Sequence, residues 1–224
     1  DTMPIGDFDL TLFDGDGLVV IELGSPINGT GSLRMAGSMD TTPEFSTITL
    51  NSSQPRGFNA GRIQSLYRRE SPASAGLDRG AGFIFITSSQ TPWATGQTSY
   101  FAGLSHAGAG NMEWRIFKFT NGFSQLSDGT QLGSSTTNVP TVGQVRAIEV
   151  EWNDAPEFGG TRIIFRAAPD SVFGNMVDVI TFIDTTPNTT LLTEGFLAID
   201  TSGSATFPQD SIFDDTSFFS LAPA

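Results

Sequence analysis

Three acidic residues in one short segment, Glu149, Glu151 and Asp154, are the strongest candidates for chemistry in this chain. On an extended strand, residues two apart share a face at roughly 7 Å. Two carboxylates near that separation can cleave a glycosidic bond, one as acid and the other as nucleophile or base. The competing reading is structural. Ile148, Val150 and Trp152 alternate with the two Glu, so a strand here turns those three to a core and both carboxylates to solvent. Four aromatic residues, Trp93, Tyr100, Trp114 and Trp152, offer a different chemistry: apolar faces on which sugar rings stack. Trp93 lies in the loop Thr91-Pro92-Trp93-Ala94 and is the best exposed, whereas Trp114 and Trp152 fall inside strands and read as core. Tyr100 and the single histidine, His106, complete the candidate glycan contacts. His106 follows a strand in Leu104-Ser105-His106-Ala107-Gly108, where an ordinary surface-loop histidine is the plainer reading. Asp14 and Asp16 lie in a Gly-rich loop with Asp7 and Asp9 nearby. Calcium favours carboxylates on such loops, and Asp-Gly is equally the preferred hairpin dipeptide. An EF-hand is excluded, because Leu18 and Ser25 stand where further ligands belong.

Composition removes many alternatives. The 224 residues carry 24 Asp and Glu against 11 Lys and Arg, a net charge of −13. Nucleic-acid binding needs clustered cations on phosphates, and docking on an anionic membrane needs a basic patch. Neither fits a pI near 4.2. No cysteine is present, so disulfides, thiolate nucleophiles and Cys-ligated metals are out. One histidine leaves little for zinc. Calcium is the only metal the sequence leaves open, and no other cofactor is expected. Walker A, Rossmann, HExxH and kinase signatures are absent, as is a Gly-x-Ser-x-Gly elbow to serve His106. No apolar run is long enough to span a membrane as a helix. The start at Asp1 without Met fits a cleaved leader, a pro-segment or an excised stretch.

The elements that must position these residues are strands. Phe8, Leu10 and Leu12 alternate with Asp9 and Thr11, and period-2 patterning recurs over 18–23, 32–36, 45–50, 62–68, 82–87, 99–105, 113–120, 144–152, 161–167, 178–184, 195–200 and 211–221. Turn dipeptides such as Asn121-Gly122, Asp128-Gly129 and Gly159-Gly160 separate them. Residues 71–79 and 88–97 read as loops. Asp14-Gly15-Asp16-Gly17 reads as a hairpin turn, which makes residues 1–26 an N-terminal hairpin packed on the domain or on a neighbour. No segment carries a capped 3.6-residue apolar stripe. Nineteen Phe can fill one core, and no linker or repeat divides the chain. The expectation is an all-β, antiparallel, two-sheet sandwich forming a single domain over 1–224.

The succession Gly31-Ser32-Leu33-Arg34, Gly82-Phe83-Ile84-Phe85 and Tyr100-Phe101-Ala102-Gly103-Leu104 resembles the concanavalin A-like lectin/glucanase superfamily. So do Trp114-Arg115-Ile116-Phe117-Lys118-Phe119, Ile148-Glu149-Val150-Glu151-Trp152-Asn153, Gly160-Thr161-Arg162-Ile163 and the closing Ile212-Phe213-Asp214-Asp215. The resemblance covers about residues 27–220 and implies a curved jelly roll, of which laminin G-like modules are one form. Endo-glucanases of that superfamily carry Glu-x-Asp-x-x-Glu on one strand, where this chain has Glu149-x-Glu151-x-x-Asp154. The types are swapped at two of three positions, and the shorter Asp154 sits too far back for the acid role. In legume lectins a Glu-x-Asp strand is followed by Asn, Asp and His metal ligands. Asn153 and Asp154 follow here, but no His does.

Fold alone does not assign function, so two readings stand, the first preferred, with a polysaccharide hydrolase or lyase as a weaker third. The first is a non-enzymatic structural protein, an exterior subunit of an assembly such as a phage head decoration, knob or fibre. Its support is a surface rich in Ser, Thr, Gly and Asn, a strong negative charge and a single Lys. Protein partners would then meet at exposed strand edges. The second is a carbohydrate-binding, lectin-like module of a secreted bacterial protein, supported by the superfamily resemblance, Trp93 and the acidic loops. Both place the chain outside the cell or on a virion surface.

Overall fold

The computed structural model describes residues 8–13, 18–22, 27–28, 32–36, 44–50, 60–70, 79–89, 91–107, 111–123, 125–155, 159–188, 193–200 and 210–220. Strands dominate these residues: β1 (Phe8–Phe13), β2 (Leu18–Glu22), β3 (Ser32–Ala36), β4 (Glu44–Leu50), β5 (Gly61–Arg69), β6 (Arg79–Thr87) and β7 (Ser99–Ala107), followed by β8 (Asn111–Phe119), β9 (Thr130–Ser135), β10 (Val145–Ala155), β11 (Gly160–Ala167), β12 (Val177–Asp184), β13 (Thr193–Asp200) and β14 (Asp210–Ser220). Two 3-10 turns, Leu126–Asp128 and Phe173–Asn175, are the only helical pieces among them.

The strands form two seven-stranded sheets. The first runs β1-β4-β13-β6-β7-β8-β9 and the second β12-β11-β10-β5-β14-β3-β2. Every pairing is antiparallel. Local meanders, β6 to β9 and β10 to β12, are joined by chain crossings between the sheets. The last strand, β14, inserts between β5 and β3. The all-β sandwich read from the sequence is therefore the observed fold.

One expectation needs correction, and one strand goes unread in the sequence. The N-terminal hairpin does not form: β1 pairs with β4 in the first sheet, and β2 pairs with β3 in the second. Alternation tells each strand which face to bury but not which partner to take. Both strands extend existing sheet edges instead of pairing with each other. The unread strand is β9, TQLGSS. With one apolar residue, it gives no alternation signal, and as an edge strand it needs little.

The core lies between the sheets and is built from large rings. Phe85 of the first sheet stacks on Trp152 of the second at 5.0 Å between centroids. Trp114 meets Phe165 at 5.1 Å and Tyr67 at 5.9 Å across the same gap. Trp114, Trp152, Phe83, Phe85 and Phe165 are essentially solvent-free. A side chain at Gly61 would place its Cβ 2.4 Å from the Trp152 indole, so glycine opposite that ring is a packing requirement. The outer face of the first sheet is covered too. Ile84, Phe101, Phe117 and Phe119 form a second cluster under the turns that carry Phe123 and Leu126.

One buried group ties the sheets together by charge. Lys118 of β8 reaches Asp184 of β12, Nζ to Oδ2 2.7 Å. The Tyr100 hydroxyl donates to the same carboxylate oxygen at 2.6 Å.

Candidate functional site

The outer face of the second sheet collects the polar side chains that could meet a ligand. On β10, Ile148, Val150 and Trp152 enter the core, so Glu149, Glu151 and Asn153 take the opposite face. Register then decides their neighbours. One row runs Ser217, Gln64, Glu149, Arg166, Asp178 across β14, β5, β10, β11 and β12. The next runs Phe219, Arg62, Glu151, Ile164, Thr181. Asn153 beside Arg162 begins a third.

Two guanidiniums bind three carboxylates on this face. Arg166 Nη1 donates to Glu149 Oε1 and, at 2.8 Å, to Glu151 Oε2. Its Nε donates to Asp178 Oδ1 at 2.6 Å. Arg62 Nε lies 3.5 Å from Glu149 Oε2, and its guanidinium carbon sits 4.3 Å above the Phe219 ring. Burial alone would lower the Arg166 pKa; its bonds to Glu151, Glu149 and Asp178 outweigh that and raise it. The grid stays half open to solvent. The Arg62 side chain is 34% exposed and that of Asp178 51%, while Arg162 is exposed outright.

Of the sequence candidates, Glu149 and Glu151 are brought together, but as partners of one arginine. A glycosidase pair needs an acid free to hold and deliver a proton to a bound sugar. Glu149 is instead 2% exposed and tied to two cations. The expectation that both carboxylates face solvent is correct in direction and wrong in burial: Arg62 and Arg166 close over Glu149 from either side. The side chain of Asp154 lies outside the described residues, as do Asp14 and Asp16. Among the described residues, no group of three or more His, Asp or Glu could hold a metal ion.

The aromatic platform is not assembled. Tyr100 has no exposed surface; its ring stacks on Phe85 in the core and its hydroxyl binds Asp184. Burial, and then the bond to Asp184, pushes its phenol well above the usual pKa. His106 is not in a loop. β7 runs on through Ala107, which leaves the imidazole 3% exposed opposite Met112. Neither side chain can touch a glycan. Trp114 and Trp152 are core, as read. Trp93 does occupy a loop, but half-buried, with its indole packed against the outer cluster of the first sheet. Its carbonyl accepts the Phe123 N–H at 3.2 Å, and Gly122, at φ +71°, lets the two loops meet without a clash.

The sequence reading missed Arg62, Arg162 and Arg166. Each sits at a polar position of an alternating strand, which is a weak signal. Only the pairing of β5 and β11 with β10 makes them a site.

No protein-family model and no curated protein matches the sequence. Solved structures do match in shape. The VIP36 exoplasmic/lumenal domain, bound to Ca2+ and Man3GlcNAc, superposes with a TM-score of 0.60 at 14% identity, over 99% of this chain and 87% of that one. A legume lectin-like domain from Entamoeba histolytica gives 0.58 at 8% identity, over 97% and 92%. A conserved carbohydrate esterase from the Shiga toxin-encoding bacteriophage phi24B gives 0.54 at 10% identity, over 95% and 88%. At these identities the likeness is one of architecture, and the chain has the concanavalin A-like, legume lectin-like jelly-roll fold.

Proposed function

We propose that the chain is a carbohydrate-binding, lectin-like domain that holds sugar on the outer face of its second sheet without cleaving it. The observation that carries this reading is the half-open face of Arg62, Glu151 and Arg166 beside the Phe219 ring, with the buried Glu149 holding both guanidiniums in place. Pre-set carboxylate acceptors and guanidinium donors suit the vicinal hydroxyls of a sugar, and a ring edge or face suits its C–H surface. The same pairing argues against catalysis, because Arg166 engages both candidate carboxylates. Structural neighbours, among them the VIP36 domain bound to Ca2+ and Man3GlcNAc, favour the reading. They equally favour an extracellular or lumenal setting. The exterior-subunit reading rests on composition, and no contact or surface among the described residues adds to it. Calcium at Asp14 and Asp16 remains part of the proposal, as a loop-ordering ion tested by a rise in Tm on calcium addition that Asp14→Asn removes.

A glycan array, followed by calorimetry on the best binder, tests the function. Losing one charge-assisted hydrogen bond costs about 1.5–3 kcal/mol. Glu151→Gln and Arg162→Ala should therefore weaken binding by roughly ten- to a hundredfold. An array with no binder, or affinity indifferent to both variants, overturns the assignment.

A further inference from the structure

Lys118 is the only lysine in the sequence, and the fold buries it. Lysine is almost never fully buried, and an ion pair in an interior is a poor route to stability because both charges must be stripped of water. The surroundings of this pair are more specific than a salt bridge requires. Asp184 Oδ1 accepts the Thr186 backbone N–H at 2.9 Å and the Thr186 hydroxyl at 3.2 Å. Asp184 Oδ2 accepts the Tyr100 hydroxyl at 2.6 Å and faces Lys118 Nζ at 2.7 Å. Lys118 Nζ also donates to the Thr186 carbonyl, which aims the nitrogen. The Asn188 N–H caps the Tyr100 oxygen at 3.1 Å. One carboxylate thus has hydrogen-bond donors on one oxygen, a phenol on the other, and an amine in contact.

We propose that Lys118 and Asp184 condense within the folded protein into an amide that covalently joins the two sheets. The pair first exchanges a proton along its contact, so that ammonium and carboxylate become amine and carboxylic acid at unchanged net charge. The Nζ lone pair then attacks Cγ. The negative charge that develops on Oδ1 meets the Thr186 N–H and hydroxyl, an arrangement of the oxyanion-hole kind. A second proton leaves Nζ for the Oδ2 hydroxyl, relayed by the Tyr100 phenol, and the Cγ–Oδ2 bond breaks. Lys–NH3+ and Asp–COO− become Lys–NH–CO–Asp and one water, with no oxidant or other reactant. Positioning replaces an encounter between two groups, and a dry interior disfavours the separated charges while releasing the water. Tyr100 suits the relay because burial keeps its phenol protonated. Burial pushes the Asp184 carboxyl up, but bonds from Lys118, Tyr100 and Thr186 hold it below its usual value. The ion pair is therefore the starting state, from which the proton exchange runs uphill.

Intact mass spectrometry of the purified, folded chain tests this directly. The expected result is a mass one water below that of the sequence, with the full mass restored in Lys118→Arg. Asp184→Asn, which keeps the geometry, should lose ammonia instead. Trypsin should fail to cut after Lys118 and should yield a branched peptide joining residues 116–146 to 167–224. The full sequence mass with normal cleavage after Lys118 overturns the proposal. So does a water loss that persists in Lys118→Arg, since it must then arise elsewhere.

Discussion

Replacing Glu149 by Gln separates a structural carboxylate from a catalytic one. The Glu149 side chain is 3% exposed, accepts a bond from Arg166 and lies 3.5 Å from Arg62. Breaking a fully buried ion pair from one side costs about 3–5 kcal/mol. Here the orphaned cations keep other partners. Arg166 retains Glu151 and Asp178, and Arg62 retains Phe219 and one-third of its surface in water. The amide of Gln also preserves an acceptor. The charge-assisted hydrogen bond alone is worth about 1.5–3 kcal/mol, so a loss near 2 kcal/mol follows. For a domain of this size that lowers Tm by roughly 4–8 °C. Guanidinium denaturation should show a lower midpoint at unchanged slope. Asp178→Asn is the internal comparison: its side chain is 51% exposed, and its effect should stay within about 0.5 kcal/mol. Scanning calorimetry on the three proteins decides the matter. A Glu149→Gln variant as stable as its parent, or more so, would refute the reasoning, because groups held for chemistry commonly cost stability. Loss of a polysaccharide-cleaving activity in that same variant would restore the glycosidase reading.

Trp152→Ala should destabilise by about 3–5 kcal/mol, read as a collapsed denaturation midpoint, because it empties the centre of the inter-sheet ring stack. Gly103→Ala should cost about 1–3 kcal/mol, since its Cβ would meet the Ala81 carbonyl at 2.4 Å and backbone cannot swing aside. Trp93→Ala should lower Tm by loosening the loop cover on the first sheet, and leave glycan affinity unchanged in calorimetry. Acid should weaken the turn at 170–175: bonds from the Val172 N–H and Asn175 hold the Asp170 carboxyl below 3.8, so their contribution is present above that value and fades as pH falls through the lowered one. Hydrogen exchange at the Val172 amide across pH 2–5 checks it, with Asp170→Ala removing the dependence.

Much of the architecture was legible because period-2 alternation is strong wherever a strand feeds a core. The segment around Ile148, Val150 and Trp152 was read with its inward face correct, and the GFIFIT run proved a central strand buried on both faces. What alternation cannot carry is pairing. Nothing local tells Arg62 that it will lie beside Glu149, far along the chain, and even Glu149 and Arg166, 17 residues apart on the paired strands β10 and β11, become neighbours only through register. The same blindness produced an N-terminal hairpin where β1 and β2 join different sheets. Polar edge strands such as β9 escape for lack of apolar residues. The sequence reading puts His106 in a loop because it ends that strand at 105, whereas β7 runs on to Ala107. It offers Tyr100 as a stacking face although that residue lies inside the same strand, where the fold buries its ring and satisfies its hydroxyl through Asp184.

Amide chemical-shift mapping by NMR, titrating the labelled chain with the strongest array glycan, tests the binding face most directly. The account predicts perturbations concentrated on β5, β10 and β11 around Arg62, Glu151, Asn153 and Arg162. Shifts confined to the Trp93 and Asn121 loops of the first sheet would contradict it.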